Sequence, residues 1–351
     1  MSSPTDARTL SYVEALQEAV EQEMGRDENV FVIGLNVDDH KAIQGTTKGL
    51  IYKFGPERVM DTPLSEDAVT GISIGAAMAG MRPIHVHIRM DFLMLCMNQL
   101  VNMGAKAHYM YNGQLSVPMV SRSIIGKSWG QGAQHSQGLH SMFMHVPGLK
   151  VVAPTNAYDA KGCMIAAIRD NIPVIFVEHR LLYSTDAPVP KDPYTVEFGK
   201  ARISGEGSDI SLVGISYMLV ECLAARDLLA DVGISAEVID PVSLMPLDID
   251  TIAASANRTG KLLVVDNAWT AAGASAEIVA AVCERGGAMN VGRMGYAPTT
   301  CPTTPELEKE FYPNAATIAA RAYAMVRPDD KPWMPDVEPT LPHEAAFRGP
   351  F

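Results

Sequence analysis

Residues 126–137 form the densest group of chemically unusual side chains in the sequence, Gly-Lys-Ser-Trp-Gly-Gln-Gly-Ala-Gln-His-Ser-Gln. Three glycines fall within seven residues, and His135 follows them. Glycine-rich loops inside compact α/β domains are usually functional, and histidine can exchange a proton near neutral pH. The spacing therefore predicts a backbone that bends closely around another group, next to a reactive histidine. A surface loop with a solvated histidine is the alternative.

A second candidate is Glu66, which follows the turn Thr-Pro-Leu-Ser at residues 62–65. Ser65 is predicted to cap a helix over about residues 66–80. An acid in the first turn of a helix normally serves only the macrodipole, so Glu66 alone is a weak signal. Residues 71–80 are nearly all small, which weakens a helix and therefore predicts a close helix neighbour or a ligand at its start.

Short apolar strands and amphipathic helices alternate along the chain, which predicts an α/β fold with parallel sheets. The first helix is marked by a capping box, with Ser11 at the cap and Glu14 three residues later. The predicted helices cover 11–25, 66–80, 93–109, 158–168, 219–231, 250–257 and 275–284, with a last helical segment at 302–325. The predicted strands cover 30–34, 84–88, 117–123, 150–153, 174–178, 210–214, 236–240 and 262–266.

Three prolines between residues 188 and 193 predict an extended linker between two such α/β domains. The expected boundaries are a first domain at 1–187, the Pro-rich linker at 188–198 and a second domain at 199–326. Residues 327–351 are Pro-rich and acidic and are predicted to form a tail.

The composition excludes several classes of function. The formal net charge is −12, which repels phosphate backbones and anionic lipids, so neither nucleic acid nor a membrane surface is expected as a partner. No apolar run approaches the length of a membrane-spanning helix, and the first residues carry no secretory signal pattern. Five dispersed cysteines indicate buried thiols in a reducing compartment, and we expect a cytoplasmic protein.

Several stretches together resemble the β-subunit of thiamine-diphosphate-dependent 2-oxo acid dehydrogenases, the decarboxylating first component of pyruvate and branched-chain complexes. The matching stretches are 54–66, Asp91-Phe92 with Asn98-Gln99, 134–137, 147–154, 159–162 and 167–170. The resemblance extends from about residue 8 to 325. It implies a pyrimidine-binding domain followed by a transketolase C-terminal domain, both α/β with parallel sheets.

The resemblance assigns roles to three residues. Glu66 matches the acid that hydrogen-bonds the aminopyrimidine ring of thiamine diphosphate and thereby assists removal of the thiazolium proton. Phe92 matches the aromatic residue that stacks on the same ring. His135 matches the histidine that assists proton transfer and stabilises negative charge on the reacting oxygen. Glu66 and His135 are the expected catalytic residues.

Further positions follow from the resemblance. Leu35 and Arg89 are expected beside the cofactor, and both depart from the family pattern. Arg89 could hold an anionic substrate or the diphosphate, or form a salt bridge to a partner chain. The family also binds potassium through main-chain carbonyls, and the matching positions here are Met119, Ala167, Asp170 and Ile172.

The diphosphate and magnesium motif of this superfamily, Gly-Asp-Gly followed by Asn-Asn, does not occur in the sequence. Magnesium requires oxygen ligands beside the phosphates. The resemblance therefore implies an α-type partner subunit that holds magnesium and the diphosphate, in an α2β2 heterotetramer with sites at the subunit interface. The segment around residues 71–110 is the expected interface, and a lipoyl acyltransferase is a further expected partner.

Three functions remain open from the sequence. The first is an oxidative 2-oxo acid decarboxylase that passes its acyl group to lipoamide. The second is a two-subunit carboligase or transketolase-like enzyme, which transfers the same activated aldehyde to another carbonyl. The third is a subunit without turnover, against which the joint presence of Glu66, Phe92 and His135 argues.

Overall fold

The computed structural model describes residues 7–39, 41, 43–127, 130–286 and 289–337. These residues form two compact units. The first unit contains residues 7–125 and Met142–Glu197, and the second contains Gly126–Ser141 and the described residues from Phe198 onward. Two α/β domains with mostly parallel sheets were expected, and this fold class is confirmed. The expected boundaries, at 1–187, 188–198 and 199–326, stay a prediction, and they place residues 126–141 in the first domain, whereas the packing groups Gly126–Ser141 with the second unit.

The first unit contains eight strands among its described residues. They are β1 (Ala7–Ser11), β2 (Val30–Gly34), β3 (Val59–Asp61), β4 (Arg82–His87), β5 (Val120–Ile125), β6 (Lys150–Val152), β7 (Val174–His179) and β8 (Asp186–Pro190). The helices up to residue 169 are α1 (Tyr12–Arg26), α2 (Leu50–Phe54), α3 (Glu66–Met78), α4 (Met90–Leu93), α5 (Ala105–Met110), α6 (His140–Met144) and α7 (Ala157–Arg169).

Six of these strands lie side by side in the order β6-β7-β5-β4-β2-β3. Every pair among these neighbours is parallel. Strands β2, β5 and β7 are buried along their full length. This explains the continuous apolar run of β2, whereas β5 and β7 also carry buried charged side chains, among them Arg122 and Glu178. In a parallel sheet the carboxyl ends of all strands meet at one edge, so the segments that follow these strands come close together.

The helix predictions have mixed outcomes. The capping box of α1 is confirmed, because the Ser11 side chain accepts from the Glu14 N–H and the Glu14 carboxylate accepts from the Ser11 N–H. The predicted Ser65 cap is wrong, since its side chain makes no capping hydrogen bond at the start of α3. The single helix predicted at 93–109 is wrong as well. Residues 90–110 instead form four successive segments, which are α4, a 3₁₀ turn, a π-helical stretch and α5. The number of residues per turn changes between these segments, so a single helical periodicity does not describe them.

The proline-rich residues 188–193 do not form a simple extended linker. Strand β8 pairs antiparallel with β1, with Pro188 opposite Thr9. Proline is tolerated in a two-stranded edge pairing because its missing N–H can face away from the partner strand. The buried ammonium group of Lys161 then donates to the carbonyls of Pro190 and Lys191, 2.7 and 3.0 Å away, which fixes the end of β8.

The second unit has a five-stranded sheet in the order β14-β13-β10-β11-β9, parallel except for β9. The strands of this unit are β9 (Arg202–Gly205), β10 (Ile210–Gly214), β11 (Ala236–Asp240), β12 (Ser243–Met245), β13 (Lys261–Trp269) and β14 (Asn290–Tyr296), of which β12 does not belong to this sheet. Its helices from residue 218 onward are α8 (Met218–Ala230), α9 (Ile249–Thr259), α10 (Ala274–Arg285), α11 (Pro305–Phe311) and α12 (Ala315–Val326). None of the helices in the described ranges has the length and apolar character needed to cross a bilayer.

A buried ion pair joins β5 to β7 in the first unit. The Arg122 guanidinium donates from Nε and Nη2 to the two carboxylate oxygens of Glu178, at 2.6 and 2.9 Å. Both side chains are almost completely inaccessible to solvent. The Tyr183 hydroxyl donates a third hydrogen bond to the same carboxylate, at 2.8 Å. Such a pair is costly to break because the remaining charge is left buried without its partner.

Replacing Glu178 with leucine should lower the free energy of unfolding by about 3–5 kcal/mol, because the Arg122 charge stays buried and loses its counter-charge. The double variant R122L/E178L should recover most of this loss, since it buries no charge. Urea unfolding of the wild type and both variants measures the two differences. A loss below about 1 kcal/mol in E178L, as for a solvent-exposed pair, would contradict this account of the β5–β7 contact.

Candidate functional site

Four of the predicted site residues lie at the carboxyl edge of the first unit's sheet. Leu35 directly follows β2, and Arg89 and Phe92 follow β4. Glu66 begins α3, the helix that follows β3. Strands β3, β2 and β4 are neighbours in the sheet, so their ends bring these four positions to one region. This is the edge where open α/β sheets bind ligands.

Glu66 offers a carboxylate that the protein itself does not use. Its side chain is half-buried at the first position of α3, and it forms no hydrogen bond or ion pair with the described residues. Burial raises the pKa of the neighbouring Cys96 thiol to about 11, and the negative charges of Glu66 and Asp67 add to this rise. A half-buried carboxylate with available oxygens is the acceptor that a protonated ring nitrogen requires. Glu66 therefore fits the aminopyrimidine end of thiamine diphosphate.

Arg89 is the cation of this region. Its side chain is buried, and its Nη1 donates to the Ile88 carbonyl at 2.8 Å. Burial lowers the pKa of the Arg89 guanidinium, although the acidic side chains of Tyr183 and Asp91 oppose this effect. An arginine stays protonated despite such a shift, so the region carries a fixed positive charge. Phe92 and Leu35 are half-buried and supply apolar surface at the same edge.

The sequence analysis missed a buried histidine pair on β4. His87 Nε2 lies 3.1 Å from His85 Nδ1, and the Thr70 hydroxyl on α3 lies 3.3 Å from the same His85 nitrogen. Burial lowers the pKa of His85 to about 4, and burial together with His85 holds the pKa of His87 well below its usual value. Both rings are therefore neutral at pH 7. The alternation His-Val-His along a strand that faces α3 was the available signal.

His135 belongs to the second unit, together with the rest of Gly126–Ser141. The glycines before it are required by close packing within that unit. A methyl group on Gly130 would lie 2.3 Å from the Thr303 carbonyl oxygen, and one on Gly132 would lie 2.5 Å from the Thr303 side chain. Both glycines also have positive φ angles, +67° and +69°. The expected close approach is thus observed, and the group approached is Thr303 of the same chain.

The His135 side chain is half-buried, and the backbone N–H of His135 donates to the Gly132 carbonyl at 3.3 Å. Five residues further on, His140 forms a fully buried pair with Asp266, which the sequence analysis also missed. His140 Nε2 and Asp266 Oδ1 are 2.9 Å apart. No local pattern signals this contact, because the two residues are 126 positions apart in the sequence.

The four potassium positions lie in the first unit, at the opposite edge of the sheet from Glu66. Met119 directly precedes β5, and its carbonyl accepts the first N–H of β7 at 3.0 Å. At the end of α7, the Ala167 carbonyl accepts from Asp170 N–H, and the Asp170 carbonyl accepts from Arg82. Ile172 N–H donates to the Asp170 side chain at 2.9 Å. Each carbonyl retains a second lone pair, so the set is chemically suited to a monovalent cation.

Metal-ligating side chains are not grouped elsewhere in the described part of the chain. The residues described contain no cluster of three or more His, Cys, Asp or Glu side chains that could hold a metal ion. None of the five cysteines, all of which lie within the described residues, forms a disulfide, and Cys283 is the exposed one among them.

Comparison with protein families gives two matches that follow one another along the chain. "Transketolase, pyrimidine binding domain" matches residues 8–185, and "Transketolase, C-terminal domain" matches residues 199–318. The first match contains the predicted site residues Glu66, Phe92 and His135 but not Asp266 or Thr303. Both of these fall in the second.

Two relatives and one solved structure are similar over most of the chain. The acetoin:2,6-dichlorophenolindophenol oxidoreductase β-subunit of Cupriavidus necator is 43% identical over 329 residues, 90% of this chain and 97% of that protein. The pyruvate dehydrogenase E1 component β-subunit of Rickettsia bellii is 43% identical over 269 residues, 77% of this chain and 83% of that protein. A split-gene transketolase, an inactive β4 tetramer, shares the fold with a TM-score of 0.75 at 18% identity, covering 90% of this chain and 98% of that one.

Lowering the pH from 7 to 4.5 should destabilise the protein by about 2–3 kcal/mol through His85 alone. Its pKa is near 6.5 in an unfolded chain and about 4 in the fold, so the unfolded chain binds the extra proton in this window. The stabilising effect of the neutral ring is thus complete above pH 6.5 and is lost as the pH falls towards 4.

Urea unfolding across this range should show a shallower pH dependence of the free energy of unfolding in H85N than in the wild type. The exposed-site variant H145N should retain the full dependence, and equal slopes in all three proteins would contradict the prediction.

Proposed function

The chain belongs to the transketolase-like family that includes the β-subunits of pyruvate dehydrogenase E1 components and acetoin oxidoreductases, and we propose that it acts as such a β-subunit. The enzyme would be a thiamine-diphosphate-dependent decarboxylating 2-oxo acid dehydrogenase, with pyruvate or a similar 2-oxo acid as substrate. The observation that carries this proposal is the half-buried Glu66 carboxylate, unused by the described residues, at the carboxyl edge of three neighbouring parallel strands.

When bound, thiamine diphosphate supplies a carbon nucleophile and an electron sink beside the carbonyl of the substrate. Glu66 would accept a hydrogen bond from the protonated pyrimidine nitrogen and hold that proton in place. Phe92 would lie against the flat face of the ring, and Leu35 would exclude water from it. Phe92 and Leu35 would bind and orient the cofactor, whereas Glu66 would also take part in catalysis by holding the pyrimidine proton.

Arg89 and His135 complete the proposed set. The buried guanidinium of Arg89 suits a carboxylate or a phosphate, both of which accept two parallel hydrogen bonds from arginine. His135 would donate a proton to the substrate oxygen as negative charge develops there, and would take it back when the acyl group leaves. Its half-buried ring follows a backbone that packs closely on Thr303 at Gly130 and Gly132, which supports a defined position.

The charged end of the cofactor is assigned to an α-type partner, which would hold magnesium and the diphosphate in an α2β2 assembly. The absence of the Gly-Asp-Gly and Asn-Asn motif from the sequence supports this assignment. A second support is the apolar surface exposed within residues 71–110, formed by Ile72, Leu95, Met103, Tyr109 and Met110. Large exposed apolar side chains in a limited region indicate a protein interface. Potassium bound at the end of α7 would be a structural ion, remote from Glu66.

The two substrate candidates both follow from the relatives. The relatives from Cupriavidus necator and Bacillus subtilis, which match over 97% and 96% of their lengths, are acetoin oxidoreductase β-subunits. Acetoin is therefore a second candidate substrate beside a 2-oxo acid. The names oxidoreductase and dehydrogenase, which these relatives carry, denote oxidation rather than carboligation. Lipoamide on a lipoyl acyltransferase is the proposed acyl acceptor. The lack of disulfides among the five cysteines suits a cytoplasmic location, where thiols stay reduced.

The test uses the chain assembled with its α-type partner, with pyruvate and acetoin as substrates and an artificial electron acceptor. Glu66→Gln should lower kcat by about 100-fold or more, because it removes the acceptor of the pyrimidine proton. Asp67→Asn is the matched control, since it removes an exposed acid from the same helix turn and should change kcat by no more than about 2-fold. Near-wild-type turnover in E66Q, or equal losses in both variants, would overturn the role of Glu66.

A further inference from the structure

The His140–Asp266 pair is unusual because neither side chain is fully satisfied. Both residues are completely buried, and their single mutual contact is 2.9 Å long. His140 Nδ1 and Asp266 Oδ2 are buried without a hydrogen-bond partner among the described residues. Almost all buried polar atoms in proteins have a partner, so two orphaned atoms in one pair require an explanation.

The chemistry of the pair fixes the histidine tautomer. An ionised carboxylate only accepts hydrogen bonds, so His140 Nε2 carries a proton and donates it to Asp266 Oδ1. Burying two polar side chains for one hydrogen bond is a poor way to stabilise a fold. An apolar pair of similar volume would serve stability as well or better. The pair is therefore better explained by a requirement for position than by a requirement for stability.

The buried pair can set the position of the backbone at residues 135–140. Two further contacts within the second unit hold this backbone, one at Ser136 and one at Gly138. The Ser136 carbonyl accepts from the Tyr296 hydroxyl at 3.4 Å, and a methyl group on Gly138 would lie 1.8 Å from the Asn267 carbonyl oxygen. Asn267 directly follows Asp266 on β13. The segment after His135 therefore contacts the end of β14 at Ser136 and the end of β13 at Gly138, and the His140–Asp266 hydrogen bond holds its far end on β13.

We propose that His140 and Asp266 are positioning residues for His135: their buried hydrogen bond fixes the 135–140 backbone on β13 and thereby sets where the His135 imidazole lies. The inference rests on the catalytic role proposed for His135. Neither residue touches a reacting atom in this account. A displacement of about 1 Å at a proton-transferring group is enough to cost a large part of its rate contribution, so the anchor acts on kcat rather than on substrate affinity.

The main experiment replaces the pair by two leucines in the chain assembled with its α-type partner. H140L/D266L leaves no buried charge, so we expect its melting temperature to stay close to that of the wild type. Its kcat should fall about 10-fold or more at nearly unchanged KM. Hydrogen exchange should quicken about 10-fold at the amides of residues 133–138 and stay unchanged in β10. If the folded double variant keeps the kcat of the wild type and the wild-type rate of hydrogen exchange at residues 133–138, the proposal is overturned.

A second pair of variants gives a decision even if the double variant does not fold. His140→Gln can place an amide N–H where Nε2 lies and should keep kcat within about threefold of the wild type. His140→Asn places its amide at the Nδ1 position, which has no acceptor, and should lose kcat as the double variant does. Equal activity of the two variants, whether high or low, would contradict the assigned hydrogen bond.

One reference variant separates this inference from the proposed function. His135→Ala should lose activity in the same assay, whatever the state of the anchor. If H135A is fully active, the proposed role of His135 fails. If H135A is inactive while H140L/D266L retains full activity with wild-type exchange, only the positioning role of His140 and Asp266 fails.

Discussion

The parallel order of β3, β2 and β4 is the constraint on which the candidate site depends. Because these strands are neighbours and point the same way, the residues that follow them meet at one edge. That edge carries a half-buried carboxylate, Glu66, and a buried guanidinium, Arg89, together with apolar surface from Leu35 and Phe92. The sheet can hold this arrangement because its inner strands are buried along their length and cannot slip in register. A site of this kind suits a flat, partly charged heterocycle.

Much of the fold could be predicted from the sequence because it is encoded locally. The apolar run at β2 and the Ser11–Glu14 capping box of α1 each depend on a few neighbouring residues, and both are present in the structure. Elements whose formation depends on distant partners could not be predicted in the same way. Strand β8 exists because β1 pairs with it, and the proline pattern alone indicated an extended linker. The irregular residues 94–104 likewise follow from packing on α3, which no helical periodicity expresses.

In the candidate site, too, features encoded by neighbouring residues could be predicted, and contacts between residues far apart in the sequence could not. Glu66 was singled out by its place after the turn at residues 62–65 and by the resemblance, and it does begin α3. Its place beside the ends of β2 and β4 depends on the strand order, which the neighbouring residues do not encode. The glycines before His135 were correctly read as a sign of close approach, but the partner proved to be Thr303, more than 160 residues away in the sequence. His140 and Asp266 were missed for the same reason. Their contact arises only when residues 126–141 join the second unit, and each residue alone looks unremarkable in the sequence.

The central claim is that this chain binds the pyrimidine end of thiamine diphosphate and leaves magnesium and the diphosphate to another subunit. The most direct measurement is calorimetric titration of thiamine diphosphate with magnesium into the purified chain, into its α-type partner, and into the mixture. The account predicts saturable uptake only by the mixture, with one cofactor for each pair of chains. Tight, magnesium-dependent binding of the complete cofactor by this chain alone would contradict it, as would a stable mixture that takes up none.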